Sequence, residues 1–173
     1  TDDVGPRIRK DPIDNPWCTE TLMTAMRAET AHFFHSLVRD NAPVSRLIDS
    51  DYTFLNAELA KFYRIGGVEG TAMRKVDLET TQRGGVFGHA SVLATTSFPD
   101  RTSPVVRGKW ILDTLLGTPP PPPPPDVPEI DVEGRGSRAA TTLRKKLEAH
   151  RDSPRCAGCH SQIDPLGPSL IHI

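Results

Sequence analysis

The sequence predicts a mainly α-helical protein in three parts: a helical scaffold, a polyproline spacer, and a small segment around Cys156-Ala157-Gly158-Cys159-His160. Three observations carry this reading. Apolar residues recur at helical spacing through much of the chain up to Gly117. Seven consecutive prolines, Pro119 to Pro125, then interrupt it. A tight cysteine pair followed at once by histidine lies beyond them, at Cys156 to His160.

From Thr19 to about Arg39, Leu22, Met26, Phe33 and Leu37 repeat at helical intervals, with Arg27, Glu29 and Arg39 elsewhere around the helix. Asn41 and Pro43 end it. Leu55, Leu59, Phe62 and Tyr63 mark a second amphipathic helix over Thr53 to Tyr63, stopped at Gly66-Gly67. Met73 to Leu78 reads as a short strand. Gly84 to Thr95 reads as a short helix showing Val86, Ala90 and Leu93. Ser103-Pro104 is a cap with proline at the first helical position, and Gly117 is the stop. Between them Val105, Ile111, Leu112, Leu115 and Leu116 form a core-facing stripe beside Trp110.

Proline fixes φ and lacks a backbone donor, so Pro119–Pro125 is expected as an extended rod. At roughly 3.1 Å per residue it spans on the order of 20 Å. It reads as a stiff spacer in preference to a ligand for a proline-recognition module. Asp126 to Gly136 continues the linker, which sets the expected parts at 1–118, 119–136 and 137–173. Beyond it, Ser137 caps a helix to about His150, with Leu143 and Leu147 inward and Arg144, Lys145, Lys146 and Glu148 solvated. Asp152-Ser153-Pro154 breaks that helix just before the cysteines.

Composition narrows the function. Charged residues make up 25% and hydrophobics 36%, enough for a core but without the run of about 18 apolar residues a membrane helix needs. A net charge of -1 gives no electrostatic case for nucleic acid or anionic lipid. Three cysteines do not make a disulfide framework, and Cys18 reads as a half-buried small hydrophobe. The N-terminus lacks a signal-peptide pattern, and both ends have the look of a fragment.

Cys156 to His160 matches C-x-x-C-H, the pattern of c-type haem attachment. Two thiols one turn apart can each add to a porphyrin vinyl group, and the next residue supplies an axial imidazole. Three rivals exist. A thioredoxin-like pair wants a βαβ setting, whereas a helix and a proline turn precede this one. A zinc site needs four ligands, and although Cys159 and His172 have finger-like spacing, no second histidine follows. A plain disulfide across two residues is strained.

The sixth iron ligand is less legible. No methionine follows His160. His89, beside the apolar face of its short helix, is the first candidate. His150, Met73 and His172 come behind it, and an open position is the remaining option. His32 and His35 could share a metal but read better as two partly exposed side chains. Asp77 with Glu79, and Asp49 with Asp51, form no convincing acid–base pair. Gly84-Gly85 is too short for a phosphate loop.

Several stretches in fixed order resemble a family. They are Asp51-Tyr52-Thr53-Phe54-Leu55-Asn56, Arg83-Gly84-Gly85, Ala90-Ser91-Val92-Leu93 and Arg101-Thr102-Ser103-Pro104-Val105. Arg107-Gly108-Lys109-Trp110, Leu115-Leu116-Gly117-Thr118 with the prolines, and Cys156 to Gly167 complete the set. The chain resembles planctomycete-type multidomain proteins of unknown function that carry adjacent unknown-function modules, the second with the C-x-x-C-H motif. The resemblance implies export, covalent haem c and electron transfer, with other domains or a separate redox protein as partner. After Gly167 the sequence departs from the family pattern.

The resulting expectation is a haem electron-transfer module. Cys156 and Cys159 are the anchors and His160 the axial ligand of a cytochrome-c-like segment in a periplasmic or surface protein. The Asp164–Gly167 turn is expected to line the haem edge, with Leu166 or Ile163 in contact. The alternative is a non-catalytic scaffold whose cysteines form a thiol pair or metal site. Any enzymatic role belongs to a larger haem-dependent oxidoreductase.

Overall fold

The computed structural model describes residues 10–79, 83–100, 102–122 and 143–167. Roughly half of these residues are helical, and the sheet among them has two strands. The contacts divide the chain into two compact units between Thr102 and Ser103.

The first unit is organised by helix α1, Glu20–Arg39. Thr19 caps it, its side chain accepting from the Leu22 N–H, and the chain leaves through Asn41 at φ 44°. The inward stripe is Leu22, Ala25, Met26, Glu29, Phe33 and Ser36. Glu29 therefore faces in, not out, a correction to the sequence reading. Its spacing from Met26 and Phe33 already put it on the buried face.

After the short helix α2, Arg46–Asp49, strand β1, Tyr52–Leu55, is buried along its whole length. It pairs antiparallel with β2, Arg74–Asp77, in the register Tyr52↔Asp77 to Leu55↔Arg74. Helix α3 is Ala57–Tyr63, so the expected Thr53–Tyr63 helix is shorter than the apolar pattern suggested. Asn56 explains the boundary: it is extended, and its side chain accepts from the Leu59 N–H. Upstream of that cap, Tyr, Thr and Phe suit a strand.

Helix α4 is Ala90–Thr95, and it too starts later than expected. The 3-10 turn Val86–Gly88 precedes it, and His89 is extended at φ -71°, ψ 131°. Leu22, Ala25 and Met26 pack with Leu55, Leu59, Ala60, Tyr63 and Ala90 to form the core. Cys18 lies half-buried against that cluster, as a small hydrophobe would.

The second unit holds the cysteine pair. Helix α5, Pro104–Trp110, starts as read: Ser103 accepts from the Val106 N–H and Pro104 occupies the first turn. It runs on into a π-helical turn, Ile111–Leu115, and Gly117 at φ 62° ends the run. The expected spacer beyond Pro122, the rest of the linker and the Ser137 cap lie outside the described residues. Helices α6, Leu143–Arg151, and α7, Pro154–Ile163, follow, separated at Asp152-Ser153.

Two glycines set the packing of α5 against α7 and the turn after it. A Cβ on Gly108 would collide with the Ile163 carbonyl, and one on Gly167 with the Pro104 carbonyl. The backbones therefore meet where only hydrogen fits. A Cβ on Gly158, in contrast, would meet nothing within 4 Å among the described residues.

That contrast makes a paired test. Gly108→Ala should destabilise the protein by about 1–3 kcal/mol through overpacking. Gly158→Ala should leave stability unchanged or raise it by up to about 1 kcal/mol through helix propensity. Denaturant unfolding of both variants reads the difference, and equal effects would contradict the packing described.

Candidate functional site

Helix α7 carries the whole C-x-x-C-H motif. Ser153 precedes it in extended conformation and Pro154 fills its first turn, where a missing N–H costs nothing. Cys156 lies in that first turn, its N–H bonded to the Ser153 carbonyl at 3.0 Å. Cys159 and His160 follow at i+3 and i+4, which stacks all three on one helix face. Both cysteines are free thiols and, like His160, are half-buried.

His160 is held from behind. Its Nδ1 lies 2.9 Å from Oδ1 of Asp164, one turn on. Asp164 is 1% exposed, and its second oxygen, Oδ2, has no hydrogen-bond partner among the described residues. The Nε atom of Arg151 stands 3.7 Å from that oxygen, beyond hydrogen-bond reach but near enough for charge. A carboxylate only accepts, so this pairing places the imidazole proton on Nδ1 and frees Nε2.

His150 packs its ring edge-on to His160 at 4.6 Å. Burial pushes the His150 pKa down; the neighbouring His160 adds to the effect and Asp164 opposes it. The Asp164–Gly167 stretch forms the expected turn. Ile163, read as a possible haem contact, is buried where α7 meets Gly108 of α5, while Leu166 is half-buried.

These residues fit a covalently attached haem. Two accessible thiols one turn apart adjoin an imidazole whose far nitrogen is free and whose near nitrogen donates to a carboxylate, the usual support for a metal-bound histidine. Among the described residues no group of three or more His, Cys, Asp or Glu side chains is placed to hold a bare metal ion.

His89, the sequence's candidate for a second axial ligand, lies in the first unit. It is 1% exposed, its Nδ1 is 3.0 Å from Thr30 Oγ1, and its ring meets Phe33 edge-on at 4.9 Å. Its Nε2 has no hydrogen-bond partner among the described residues. Burial drives its pKa down to about 4. His32 and His35 are exposed, His32 stacked on Phe54, in line with the plainer reading of that pair.

Sequence reasoning missed a second buried acid. Glu29 accepts from Thr53 Oγ1 at 2.6 Å and from the Tyr63 hydroxyl at 2.5 Å. The Tyr63 oxygen in turn accepts from the Ala90 N–H at 2.8 Å. One carboxyl thus joins α1, β1, α3 and α4. Burial raises its pKa to about 7, against the lowering effect of the two hydroxyls and Arg83.

A family model described as a protein of unknown function (DUF1588), carrying the name PSCyt3, matches residues 83–172, just over half of the chain. The chain belongs to the DUF1588 family. The DUF1588 stretch begins in the first unit, before His89, and contains α5, α6 and α7 with the cysteine motif. A second model, described as a protein of unknown function (DUF1592) and named PSD4, matches residues 2–65 and so includes α1, β1 and α3. Two adjacent modules of unknown function agree with the multidomain family that the sequence resembles. No curated protein and no solved structure matches the chain. Among the described residues no helix is long and apolar enough to cross a membrane.

The two buried titratable groups of the first unit have opposite linkage. Glu29 is displaced upward, so its stabilising effect is full below its ordinary pKa of 4.5 and is lost as pH rises through about 7. His89 is displaced downward, so its effect is full above its ordinary pKa of 6.5 and is lost as pH falls through about 4. Between pH 4.5 and 6.5 the slopes cancel. Glu29→Gln should expose the His89 slope, with stability rising by up to about 1.4 kcal/mol per pH unit across that window. Urea unfolding at several pH values measures it, and an unchanged profile would contradict the assignment.

Proposed function

We propose that this chain is the carrier of a covalent c-type haem and serves electron transfer within a larger exported protein. The observation that carries the reading is the single face of α7 on which Cys156, Cys159 and His160 align, with Asp164 holding the back of the imidazole. Each thiol would add its S–H across one vinyl double bond, giving two thioethers without net oxidation or reduction. Nε2 of His160 would bind the iron. Haem bound there would provide one-electron chemistry, with a potential set by the surroundings of the ligand.

The chain's own part is anchoring and orientation. Pro154 and Ser153 start the helix that sets the thiol spacing, and the α5–α7 contact at Gly108 keeps the C-terminal end of that helix in place. Attachment of haem occurs outside the bacterial inner membrane, so the proposed location is the periplasm or cell surface. The electron partner would be another domain of the parent protein or a separate redox protein.

A second reading has one observation in its favour. Cys156 stands in the first turn of α7 with its thiol free, and a thiol pair at a helix N-terminus is also a setting for thiol–disulfide chemistry.

A pyridine haemochrome spectrum taken after denaturation separates the two. Expressed with a cytochrome c maturation system, the chain should keep a c-type α-band through denaturation. Cys156→Ser with Cys159→Ser together should abolish covalent haem. Cys156→Ser alone should leave one thioether and shift the band to longer wavelength. No band in a culture where a control cytochrome matures would overturn the haem reading in favour of the thiol pair.

A further inference from the structure

We propose that Asp164 is the residue that positions and electronically tunes His160, with Arg151 as its partial counterweight. The inference rests on the haem reading above and adds a role for two residues outside the C-x-x-C-H motif. Asp164 is badly placed for structure alone. It caps the C-terminal end of α7, where the helix dipole disfavours an anion, and it is 1% exposed. A carboxylate taken out of water needs compensation, yet among the described residues only Oδ1 has a hydrogen-bond partner, and that partner is His160.

The geometry serves the imidazole. The i,i+4 spacing brings the Asp164 carboxylate to Nδ1 at 2.9 Å, which fixes both the tautomer and the ring's rotation about χ2. Nε2 is then the lone-pair nitrogen, the form an axial ligand requires. A negative charge on the far side of the ring also increases its electron donation, which favours ferric over ferrous iron and lowers the reduction potential.

Arg151 acts on the same carboxylate from α6. Its guanidinium is 3.7 Å from Oδ2, and its side chain is 35% exposed, so water screens it and its counter-effect is incomplete. The two side chains therefore push the potential in opposite directions. A structural role for either would not produce that signature.

The test is the reduction potential of the haem-loaded full chain, by spectroelectrochemistry, for wild type, Asp164→Asn and Arg151→Gln. The expected result is a rise for Asp164→Asn of at least tenfold in the redox equilibrium, about 59 mV for one electron. Arg151→Gln should give a smaller shift of opposite sign. Unmoved potentials, or shifts in the same direction, would overturn the proposal while leaving the haem reading intact.

If Asp164→Asn fails to fold, Arg151→Gln carries the test alone: a lowered potential supports the proposal and an unchanged or raised one overturns it. Absence of covalent haem in the wild type overturns the haem reading, and the tuning role falls with it. In the haem-free chain, nitrogen-15 chemical shifts of His160 at fixed pH give an independent readout. A protonated Nδ1 supports the positioning role, and a dominant Nε2–H form overturns it.

Discussion

The Asp164 carboxylate sits almost entirely out of water at the C-terminal end of α7, and the orientation of the His160 imidazole depends on it. A buried anion must be matched by donors or by charge, or the site pays several kcal/mol for it. Here His160 and Arg151 provide the match, one by a hydrogen bond and one by proximity. The acid thereby links the end of α6 to the last turns of α7. It also fixes which nitrogen of His160 faces away from the protein's own hydrogen bonds.

That linkage works only because the backbone around it is held closely. Gly108 lets α5 approach the Ile163 carbonyl directly before Asp164, and Gly167 lets the chain pass under Pro104. Two side-chain-free contacts thus bracket the buried acid. The first unit uses the same device with different chemistry. Glu29 is buried on α1 between the hydroxyls of Thr53 and Tyr63, so a single carboxyl gathers β1 and α3, and through Tyr63 reaches the N-terminus of α4. Its raised pKa marks the cost of that position.

Much of this was legible in the sequence. The Ser103-Pro104 start, the Gly117 stop and the Asp152-Ser153-Pro154 break each rest on local chemistry, and the structure has them all. The misjudged boundaries lay where a local signal competed with periodicity. Asn56 capped a helix that the apolar pattern would have extended back to Thr53, and the extended His89 did the same for α4. The motif was visible as a string of residues. Its support was not, because an aspartate four residues beyond a histidine is unremarkable until burial shows that it lacks water. Glu29 was misplaced for a different reason: its spacing from Met26 and Phe33 pointed inward, but a carboxylate defaults to solvent and its partners Thr53 and Tyr63 are remote in sequence.

A haem-carrying role requires that Cys156 and Cys159 become thioethers. Peptide mapping by mass spectrometry of the full chain, made in cells with an active haem maturation system, addresses those atoms directly. The expected result is one peptide spanning Cys156 to His160 that carries a haem on both sulfurs. Recovery of the same peptide with free thiols or a disulfide, beside a fully matured control cytochrome, would contradict it.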